Sequence, residues 1–294
     1  MSPIVYINGQ FVNGEDAKVS VWDHGFLYGD GVFEGIRAYG GRIFKLGDHI
    51  ERLYKSARSL MISITLSQEE MTQAVIETCR KNNLRDAYIR LVVSRGVGDL
   101  GIDPRKCHSG ATLVIIADKI ALYPEKTYEE GMVVITAATR KNLNAALCAQ
   151  IKSLNYLNNI LAKIEAISAG AAEALMVNKD GFITECTTEN IFILAKGELI
   201  TPPLCVGVLE GVTRNTVMEL AEKRGIPVRE KMSCCHDVYV ANECFVTGTG
   251  AEIIPVVKVD GRTIGDGKPG RVTKQLLEDY RKLTLSEGTP IYGD

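Results

Sequence analysis

The sequence has almost no net charge, no long apolar run and no regular cysteine spacing, and each absence excludes a class of function. Its 294 residues carry 34 lysines and arginines against 36 aspartates and glutamates. This balance argues against nucleic acid or an anionic membrane as the partner. No stretch is apolar for long enough to span a bilayer, and the first residues lack the basic start of a secretion signal. We expect a cytoplasmic protein that acts on a small molecule.

The eight cysteines are scattered, without a C-x-x-C pair or a matching histidine spacing. The vicinal pair Cys234-Cys235 precedes His236, which raises the question of a metal site. Adjacent side chains of an extended chain point to opposite faces, so a shared metal is disfavoured. We expect reduced thiols and no metal.

The content of 46% hydrophobic and 24% charged residues is typical of a globular protein with a sizeable core. Hydrophobic periodicity predicts an α+β chain with short, mostly antiparallel strands near the start. A polar stretch with Pro124 precedes a new strand, which indicates an interdomain connection. We predict a small N-terminal domain over 1–118, a connection over 119–131 and a larger domain over 132–294.

The predicted elements alternate along the chain. In the N-terminal part we predict strands at 4–12, 17–22, 87–95 and 111–117, two more joined by Gly40-Gly41, and helices at 46–61 and 68–83. In the C-terminal part we predict strands at 132–136, 147–152, 174–177, 182–185, 190–194 and 244–247, and helices at 154–168, 214–224 and 270–283. Leu157, Ile160, Leu161, Ile164 and Ile167 lie on one face of the helix at 154–168.

The segment from Gly96 to Gly101 matches the dinucleotide-binding pattern G-x-G-x-x-G and follows a strand. A helix should open directly after such a turn. Pro104 stands there instead and favours extended conformations before it. We therefore predict a surface loop and reject a nicotinamide dehydrogenase.

Two segments suit an anion. Thr213 lies at a predicted helix start, where free N–H groups attract negative charge, although most threonines there simply cap the helix. The run Thr247-Gly248-Thr249-Gly250 ends a strand and lets backbone amides approach a carboxylate or phosphate, although taken alone it is typical of a turn.

Lys152 lies between a predicted apolar strand and the predicted helix start, where desolvation and the helix dipole favour a neutral, nucleophilic amine. A solvated surface lysine is the alternative. Glu185 ends an apolar strand among threonines, and a surface acid is its alternative. Arg52 lies off the apolar stripe of its helix, which favours solvent exposure.

Together these segments resemble the class IV aminotransferases of fold type IV, and among them the branched-chain amino-acid aminotransferases. Six ordered blocks carry the resemblance: His24-Gly25-Phe26-Leu27-Tyr28-Gly29-Asp30-Gly31-Val32-Phe33-Glu34-Gly35-Ile36-Arg37, Tyr88-Ile89-Arg90, Lys152-Ser153-Leu154-Asn155-Tyr156, Glu185-Cys186-Thr187-Thr188-Glu189-Asn190, Leu209-Glu210-Gly211-Val212-Thr213-Arg214 and Gly248-Thr249-Gly250-Ala251-Glu252. The resemblance implies a small N-terminal α/β domain and a larger C-terminal domain with a pseudo-barrel of strands. It places the site at the domain interface.

The resemblance implies pyridoxal 5'-phosphate as the cofactor. Lys152 would form its Schiff base and move a proton between the substrate Cα and the cofactor C4′. Glu185 would pair with the pyridinium nitrogen, which keeps the ring an electron sink. Tyr156 would contact the phenolic oxygen. The residues implied to hold the phosphate are Arg52, Val212, Thr213 and Thr249.

The resemblance also implies the substrates, a branched-chain L-amino acid and 2-oxoglutarate in two ping-pong half-reactions. Leucine, isoleucine and valine would thus be handled at the last step of their synthesis and the first of their degradation. The residues implied to bind substrate are Tyr28, Phe33 and Tyr88 around the apolar side chain, Thr249 and Gly250 at the α-carboxylate, and Arg90 at the distal carboxylate. The family generally builds its sites at a dimer interface, which implies a homodimer or a larger assembly such as a hexamer.

Two departures keep alternatives open. The start Lys152-Ser153-Leu154-Asn155 is one residue shorter than in enteric branched-chain enzymes and resembles D-amino-acid aminotransferases. The connection near Tyr123 lacks the tryptophan of the enteric type. Alternatives are therefore a D-amino-acid or (R)-amine aminotransferase, an aminodeoxychorismate lyase and a non-catalytic vitamin B6 carrier. Retention of both Lys152 and Glu185 counts against the carrier, since storage needs no electron sink.

Overall fold

A computed structural model describes residues 2–119 and 123–293. The chain forms two compact units. The first unit comprises Met1–Ile120, Ile151–Asn155 and Thr284–Asp294, and the second comprises Ala121–Gln150 and Tyr156–Leu283. Two segments from beyond residue 131, one of them containing Lys152, thus belong to the first unit. Residues 120–122 of the predicted connection lie outside the described residues, and the division into 1–118, 119–131 and 132–294 stays a prediction.

Sixteen strands are described in residues 2–119 and 123–293. They are β1 (Ile4–Ile7), β2 (Gln10–Asn13), β3 (Gly31–Tyr39), β4 (Arg42–Ile43), β5 (Ala87–Ser94), β6 (Thr112–Asp118), β7 (Met132–Thr136), β8 (Glu173–Val177), β9 (Ile183–Cys186), β10 (Asn190–Ala195), β11 (Glu198–Thr201), β12 (Val228–Glu230), β13 (Glu243–Gly248), β14 (Glu252–Val259), β15 (Arg262–Thr263) and β16 (Thr289–Pro290). The helices are α1 (His24–Tyr28), α2 (Leu46–Ser59), α3 (Gln68–Lys81), α4 (Glu125–Glu130), α5 (Leu157–Ser168), α6 (Val212–Lys223), α7 (Cys235–Tyr239) and α8 (Arg271–Ser286).

The first unit is built on a seven-stranded sheet in the order β16-β4-β3-β5-β6-β1-β2, with antiparallel pairs throughout. Helices α2 and α3 pack against it because each has an apolar face at helical spacing. Ile50 and Leu53 of α2 and Met71 and Val75 of α3 are fully buried in the shared core. This core fixes β3 and β5, which carry several predicted site residues.

The second unit is built on a nine-stranded mixed sheet in the order β12-β11-β10-β13-β14-β7-β8-β9, with β15 added beside β14. Strand β7 runs parallel to β8 and β14, and β11 runs parallel to β12. The core is a cluster of aliphatic side chains that includes Leu175, Val246 and Ile254. Helix α5 packs on β8 and α6 on β13.

Most predicted elements are present within a few residues of their predicted ends, and two predicted strands are absent. Residues 17–22 form no strand, because the chain turns there and Asp23 caps α1 through the Gly25 N–H. Residues 147–152 form no strand either, and the helix predicted from Leu154 begins at Leu157. The predicted connection contains the short helix α4, which the sequence pattern does not predict because this segment has no apolar periodicity.

The apolar stripe of α5 faces outward. Leu157, Ile160, Leu161, Ile164 and Ile167 are all 46–68% exposed. The face of α5 that packs inward carries small and polar residues instead, among them Asn159, Ala162 and Ala166. A helix that is apolar on its outer face needs a further partner to bury that face.

No helix described in residues 2–119 and 123–293 combines the length and the apolar character that crossing a membrane requires. All eight cysteines are free thiols. Across the same residues, no three histidine, cysteine or acidic side chains converge as metal ligands.

Candidate active site

The residues to which the resemblance assigns roles are divided between the two units. The first unit holds Lys152, Arg52, Tyr28, Phe33, Tyr88 and Arg90, and the second holds Tyr156, Glu185, Val212, Thr213, Thr249 and Gly250. Each group is described within its own unit.

Lys152 lies in an extended segment beside β3. Its carbonyl accepts a hydrogen bond from the Phe33 N–H at 3.0 Å, and the Leu154 N–H donates to the Gly31 carbonyl at 2.9 Å. The Lys152 N–H donates to the Ser56 hydroxyl at 3.2 Å. Because these backbone groups bond to β3 and α2, residues 152–154 cannot start a helix. The expectation that Lys152 lies between a strand and a helix start is therefore wrong.

The Lys152 amine lies over the face of the Phe33 ring, with Nζ 4.6 Å from the ring centroid. The Arg90 guanidinium lies 4.7 Å from the same centroid and 5.5 Å from that of Tyr88. Arg90 also donates a hydrogen bond to the Tyr88 hydroxyl at 3.2 Å. An amine, a guanidinium and an apolar ring thus meet at one place in the first unit.

Gly35 leaves room for this group. Gly35 pairs with Arg90 across β3 and β5. A Cβ at Gly35 would come within 2.2 Å of the Tyr88 hydroxyl. A residue without a side chain is therefore required beneath Tyr88.

Tyr28 ends α1 and is 38% exposed. Its hydroxyl accepts a hydrogen bond from the Gly101 N–H at 2.8 Å, and its ring packs edge-on against His24. No helix of the Rossmann kind follows Gly101, since Pro104–Lys106 forms only one 3-10 turn. The glycine-rich segment is a loop, as predicted.

Arg52 takes part in a buried network on α2 and β3. Its Nε and Nη2 groups donate to the two oxygens of Glu34, each at 2.7 Å, and the His49 ring lies 2.8 Å from the same carboxylate. Glu34 and His49 are fully buried. The expectation that Arg52 faces solvent is wrong, because the carboxylate holds the guanidinium against β3.

The network shifts the pKa of both buried partners. Burial works to raise the pKa of Glu34, but the Arg52 charge and the hydrogen bonds of Arg52 and His49 outweigh it and lower that pKa to about 2. Burial lowers the pKa of His49 below its ordinary value, although Glu34 opposes the shift. Glu34 therefore stays ionised and keeps Arg52 in a single orientation.

Glu185 of β9 is buried and accepts three hydrogen bonds in the second unit. Lys141 Nζ donates to one oxygen at 2.7 Å, and the Leu209 N–H and the Asn190 amide donate to the other at 3.0 and 3.3 Å. Glu185 is therefore no surface acid. These donors compensate the burial of the carboxylate, and its remaining lone pairs can accept a further N–H.

Helix α6 begins at Val212 with Gly211 as its N-cap, and no side chain caps its first turn. Thr213 lies inside the helix and is buried, so it is not the cap. A Cβ at Gly211 would come within 2.0 Å of the Asn190 side-chain oxygen, which explains the glycine. An uncapped first turn leaves N–H groups for an anion such as a phosphate.

The run from Thr247 to Gly250 ends β13 and turns into β14. Within the described residues, the buried Thr247 hydroxyl has no hydrogen-bond partner. Thr249 and Gly250 are half-buried in this turn, and Tyr156 is the N-cap residue of α5. The uncapped α6, the unpaired hydroxyl and the Glu185 carboxylate fit a phosphorylated ring that carries a protonated nitrogen.

Three side chains that complete these networks, Glu34, His49 and Lys141, have no role assigned from the sequence. Glu34 carries a usable signal, because it shares one face of β3 with the buried Val32 and Ile36. A charged residue between two core positions of a strand must be paired. Lys141 has no such signal, since its partner Glu185 is far along the chain.

Comparisons of sequence and of structure with known proteins point to the same enzyme family. The family model amino-transferase class IV matches residues 31–259. A protein of Methanocaldococcus jannaschii described as a branched-chain-amino-acid aminotransferase is 51% identical over 290 residues, which cover 99% of each chain. The structure of the branched-chain aminotransferase of Thermoproteus uzoniensis with norvaline is 37% identical, with a TM-score of 0.93 and coverage of 99% of this chain and 100% of that one. These likenesses confirm the predicted fold class.

The D-alanine aminotransferase of Bacillus licheniformis is also similar, with 36% identity over 289 residues. The matched region covers 96% of this chain and 98% of that protein. The likeness therefore extends across enzymes named for different substrates.

Replacement of Glu34 by glutamine tests the buried network through pH. The pKa of Glu34 is about 2 in the folded protein against an ordinary value of 4.5. Its ionised form therefore stabilises the fold fully above pH 4.5, and this contribution is lost as pH falls towards 2. In urea unfolding at pH 7 we expect Glu34→Gln to be less stable by on the order of 3 kcal/mol.

The stability gap between the wild type and Glu34→Gln should narrow as pH falls from 4.5 towards 2. Glu51→Gln is the control, because Glu51 lies on the exposed side of α2. A gap of constant size from neutral pH down to about pH 3 would contradict the role assigned to the Glu34 charge.

Proposed function

The chain belongs to the class IV aminotransferases, and from that premise we propose that it transfers the amino group of leucine, isoleucine or valine to 2-oxoglutarate. It is a pyridoxal-phosphate-dependent transaminase. The observation that carries the proposal is the meeting of Lys152, Phe33 and Arg90 in the first unit. Beside a nucleophilic amine, these residues offer an apolar surface for a branched side chain and a cation for a second carboxylate.

The cofactor supplies an aldehyde that takes up the amino group and a ring that accepts electrons from the substrate Cα. Lys152 holds the cofactor covalently and moves the proton between the substrate Cα and the cofactor C4′. Glu185 keeps the proton on the pyridine nitrogen.

Arg52, Val212, Thr213 and Thr249 hold the phosphate. The uncapped first turn of α6 supports this assignment, because its N–H groups and helix dipole favour an anion. The bidentate pair with Glu34 supports it for Arg52, since a pre-oriented guanidinium loses less entropy when it binds. Tyr156 contacts the phenolic oxygen of the cofactor.

The substrate pocket serves two kinds of side chain. Phe33, Tyr28 and Tyr88 form the surface for a branched aliphatic chain, and Arg90 meets the distal carboxylate of glutamate or 2-oxoglutarate. Thr249 and Gly250 bind the α-carboxylate. Since the two substrates use the pocket in turn, we expect ping-pong kinetics. The reaction would end the synthesis of the branched-chain amino acids and begin their degradation.

A D-amino-acid aminotransferase is the second candidate. Its support is the likeness to the Bacillus licheniformis enzyme and the start Lys152-Ser153-Leu154-Asn155. The half-reaction of the cofactor-loaded protein separates the candidates. Conversion of the aldehyde cofactor to its amine by L-leucine, L-isoleucine or L-valine supports the main proposal. A response confined to D-alanine or an (R)-amine, or pyruvate release from aminodeoxychorismate, overturns it.

We propose that the protein assembles at least as a homodimer. The outer face of α5 supports this proposal, because five neighbouring aliphatic side chains there are 46–68% exposed. A monomer rarely leaves such a stripe in water. A second copy of the chain is the partner, in line with the family resemblance.

Replacement of Lys152 by alanine should abolish the absorption band of the covalently held cofactor. Transamination should fall by a factor on the order of 10⁴, since both the covalent anchor and the proton carrier are lost. Absorption spectra and steady-state rates measure this, and circular dichroism checks the fold. Lys163→Ala on α5 is the control and should keep both properties. Activity of Lys152→Ala near the wild-type level would remove Lys152 from its role.

Replacement of Arg90 by alanine should separate the two substrates. A charge-assisted hydrogen bond to a carboxylate contributes about 1.5–3 kcal/mol. We therefore expect kcat/KM for glutamate and 2-oxoglutarate to fall about tenfold to 100-fold, with leucine changed much less. Arg90→Lys should keep part of the glutamate activity. Equal losses on leucine and glutamate would mean that Arg90 only supports Tyr88 and Phe33.

The double variant Leu161→Glu/Ile164→Glu should dissociate the assembly, because two carboxylates on the apolar stripe of α5 would have to be buried. Sedimentation velocity measures the change. Met61→Glu is the control, since Met61 is an exposed apolar residue of the first unit. A wild-type protein that sediments as a fully active monomer would contradict the proposed dimer.

A further inference from the structure

Lys141 is a buried lysine whose amine forms an ion pair with Glu185. Its Nζ lies 2.7 Å from a carboxylate oxygen of Glu185, and both side chains are at most 10% exposed. The two residues come from different parts of the second unit, Lys141 from the segment after β7 and Glu185 from β9. The contact between Lys141 and Glu185 therefore forms only when the second unit is folded.

The backbone around Lys141 is held on both sides. The Lys141 N–H donates to the Val177 carbonyl at 2.9 Å. Asn158 of α5 accepts from the Asn142 N–H at 3.1 Å and donates to the Arg140 carbonyl at 2.8 Å. One asparagine thus bridges the residues before and after Lys141. This support fixes the direction from which the ammonium approaches Glu185.

A buried ion pair is a weak device for stability. Removing two charges from water costs several kcal/mol per ion, and the attraction often only offsets that cost. Glu185 already has two neutral donors, the Leu209 N–H and the Asn190 amide. The hydrogen-bonding needs of Glu185 do not by themselves require a third donor that carries a full positive charge. The charge of Lys141 therefore calls for a separate explanation.

We propose that Lys141 is a positioning residue that keeps the cofactor's proton on the pyridine nitrogen by making Glu185 a poorer proton acceptor. This inference rests on the proposed function, in which Glu185 pairs with that nitrogen. Lys141 does not touch the cofactor in this account and acts through Glu185.

The direction of the effect follows from distance. Lys141 Nζ contacts a Glu185 oxygen directly at 2.7 Å, whereas in the proposed function it would reach the pyridine nitrogen only through that carboxylate. A positive charge disfavours protonation of the nearer group more strongly. The proton shared by Glu185 and the nitrogen is therefore displaced towards the nitrogen, where it strengthens the electron sink. Removal of the Lys141 charge moves the proton towards Glu185.

Three variants distinguish an electrostatic effect of Lys141 on Glu185 from a purely structural role of Lys141. Lys141→Met removes the charge and keeps most of the side-chain volume, and Lys141→Arg keeps the charge. Lys163→Met is the matched control, because Lys163 pairs with the fully buried Glu173 of β8 at 2.9 Å in the same unit. Both methionine variants leave a buried glutamate without its lysine, so both should lose stability.

The main readout is the ¹⁵N resonance of the pyridine nitrogen in protein loaded with labelled pyridoxal phosphate. We expect the wild type, Lys141→Arg and Lys163→Met to give the signal of a protonated nitrogen. Lys141→Met should shift it towards the signal of an unprotonated nitrogen. Its kcat with L-leucine should fall about tenfold to 100-fold while KM changes little, since the charge affects the chemical step.

Glu185→Gln distinguishes a failure of this inference from a failure of the proposed function. If the wild type gives no protonated signal, or Glu185→Gln leaves it unchanged, the pairing of Glu185 with the cofactor is wrong and the inference falls with it. If Glu185→Gln shifts the resonance and Lys141→Met does not, the proposed function stands and Lys141 is structural. Loss of kcat in Lys163→Met equal to that in Lys141→Met also overturns the inference.

Discussion

A charged carboxylate that is buried on a strand is unstable unless a cation or hydrogen-bond donors compensate it, and each unit meets this constraint at residues of the proposed site. Glu34, Glu173 and Glu185 are each buried on a strand, and each has a basic side chain within 2.9 Å. Two of these pairs involve residues to which the proposed function assigns the cofactor. The cost of burying the charge is thus offset by contacts that also orient Arg52 and fix the donors around Glu185.

Helix α5 shows how one element supplies the supporting contacts. Its inward side chains bind loop backbone: Asn158 holds the residues on either side of Lys141, Asn159 donates to the Thr187 carbonyl, and Glu165 accepts from the Ala138 and Thr139 N–H groups. Polar side chains on this side of the helix thus supply hydrogen-bond partners to neighbouring loop groups, of which the Thr187 carbonyl is buried. The aliphatic side chains remain for the outer face, which explains why the hydrophobic pattern of this helix does not indicate its contact with its own unit.

The sequence predicts most of the fold because hydrophobic periodicity reports which face of an element is apolar. Prediction from the sequence fails where contacts between residues distant in the chain determine the local conformation. Lys152 lies in extended chain because its backbone bonds to β3, far earlier in the sequence, and local propensity carries no trace of that pairing. The periodicity of α5 correctly indicates an apolar stripe, but a pattern cannot say what buries it. Lys141 has no sequence signal for the same reason, since its partner Glu185 is brought to it only by the fold. Glu34 could have been found from its place between Val32 and Ile36.

The two units pair their key carboxylates with different cations, and the chemistry of each cation suits its proposed task. A guanidinium is planar, always charged and rich in donors, so Arg52 can hold Glu34 in a bidentate pair and still act on a second anion. A guanidinium that contacts two anions at once is suited to binding a ligand. A lysine ammonium is a compact point charge, and Lys141 places it against a single oxygen of Glu185. Such a charge orients little by itself, and it acts mainly through its electrostatic attraction to the atom that it touches. An arginine therefore suits the proposed phosphate contact in the first unit, and a lysine suits the proposed control of a proton through Glu185 in the second.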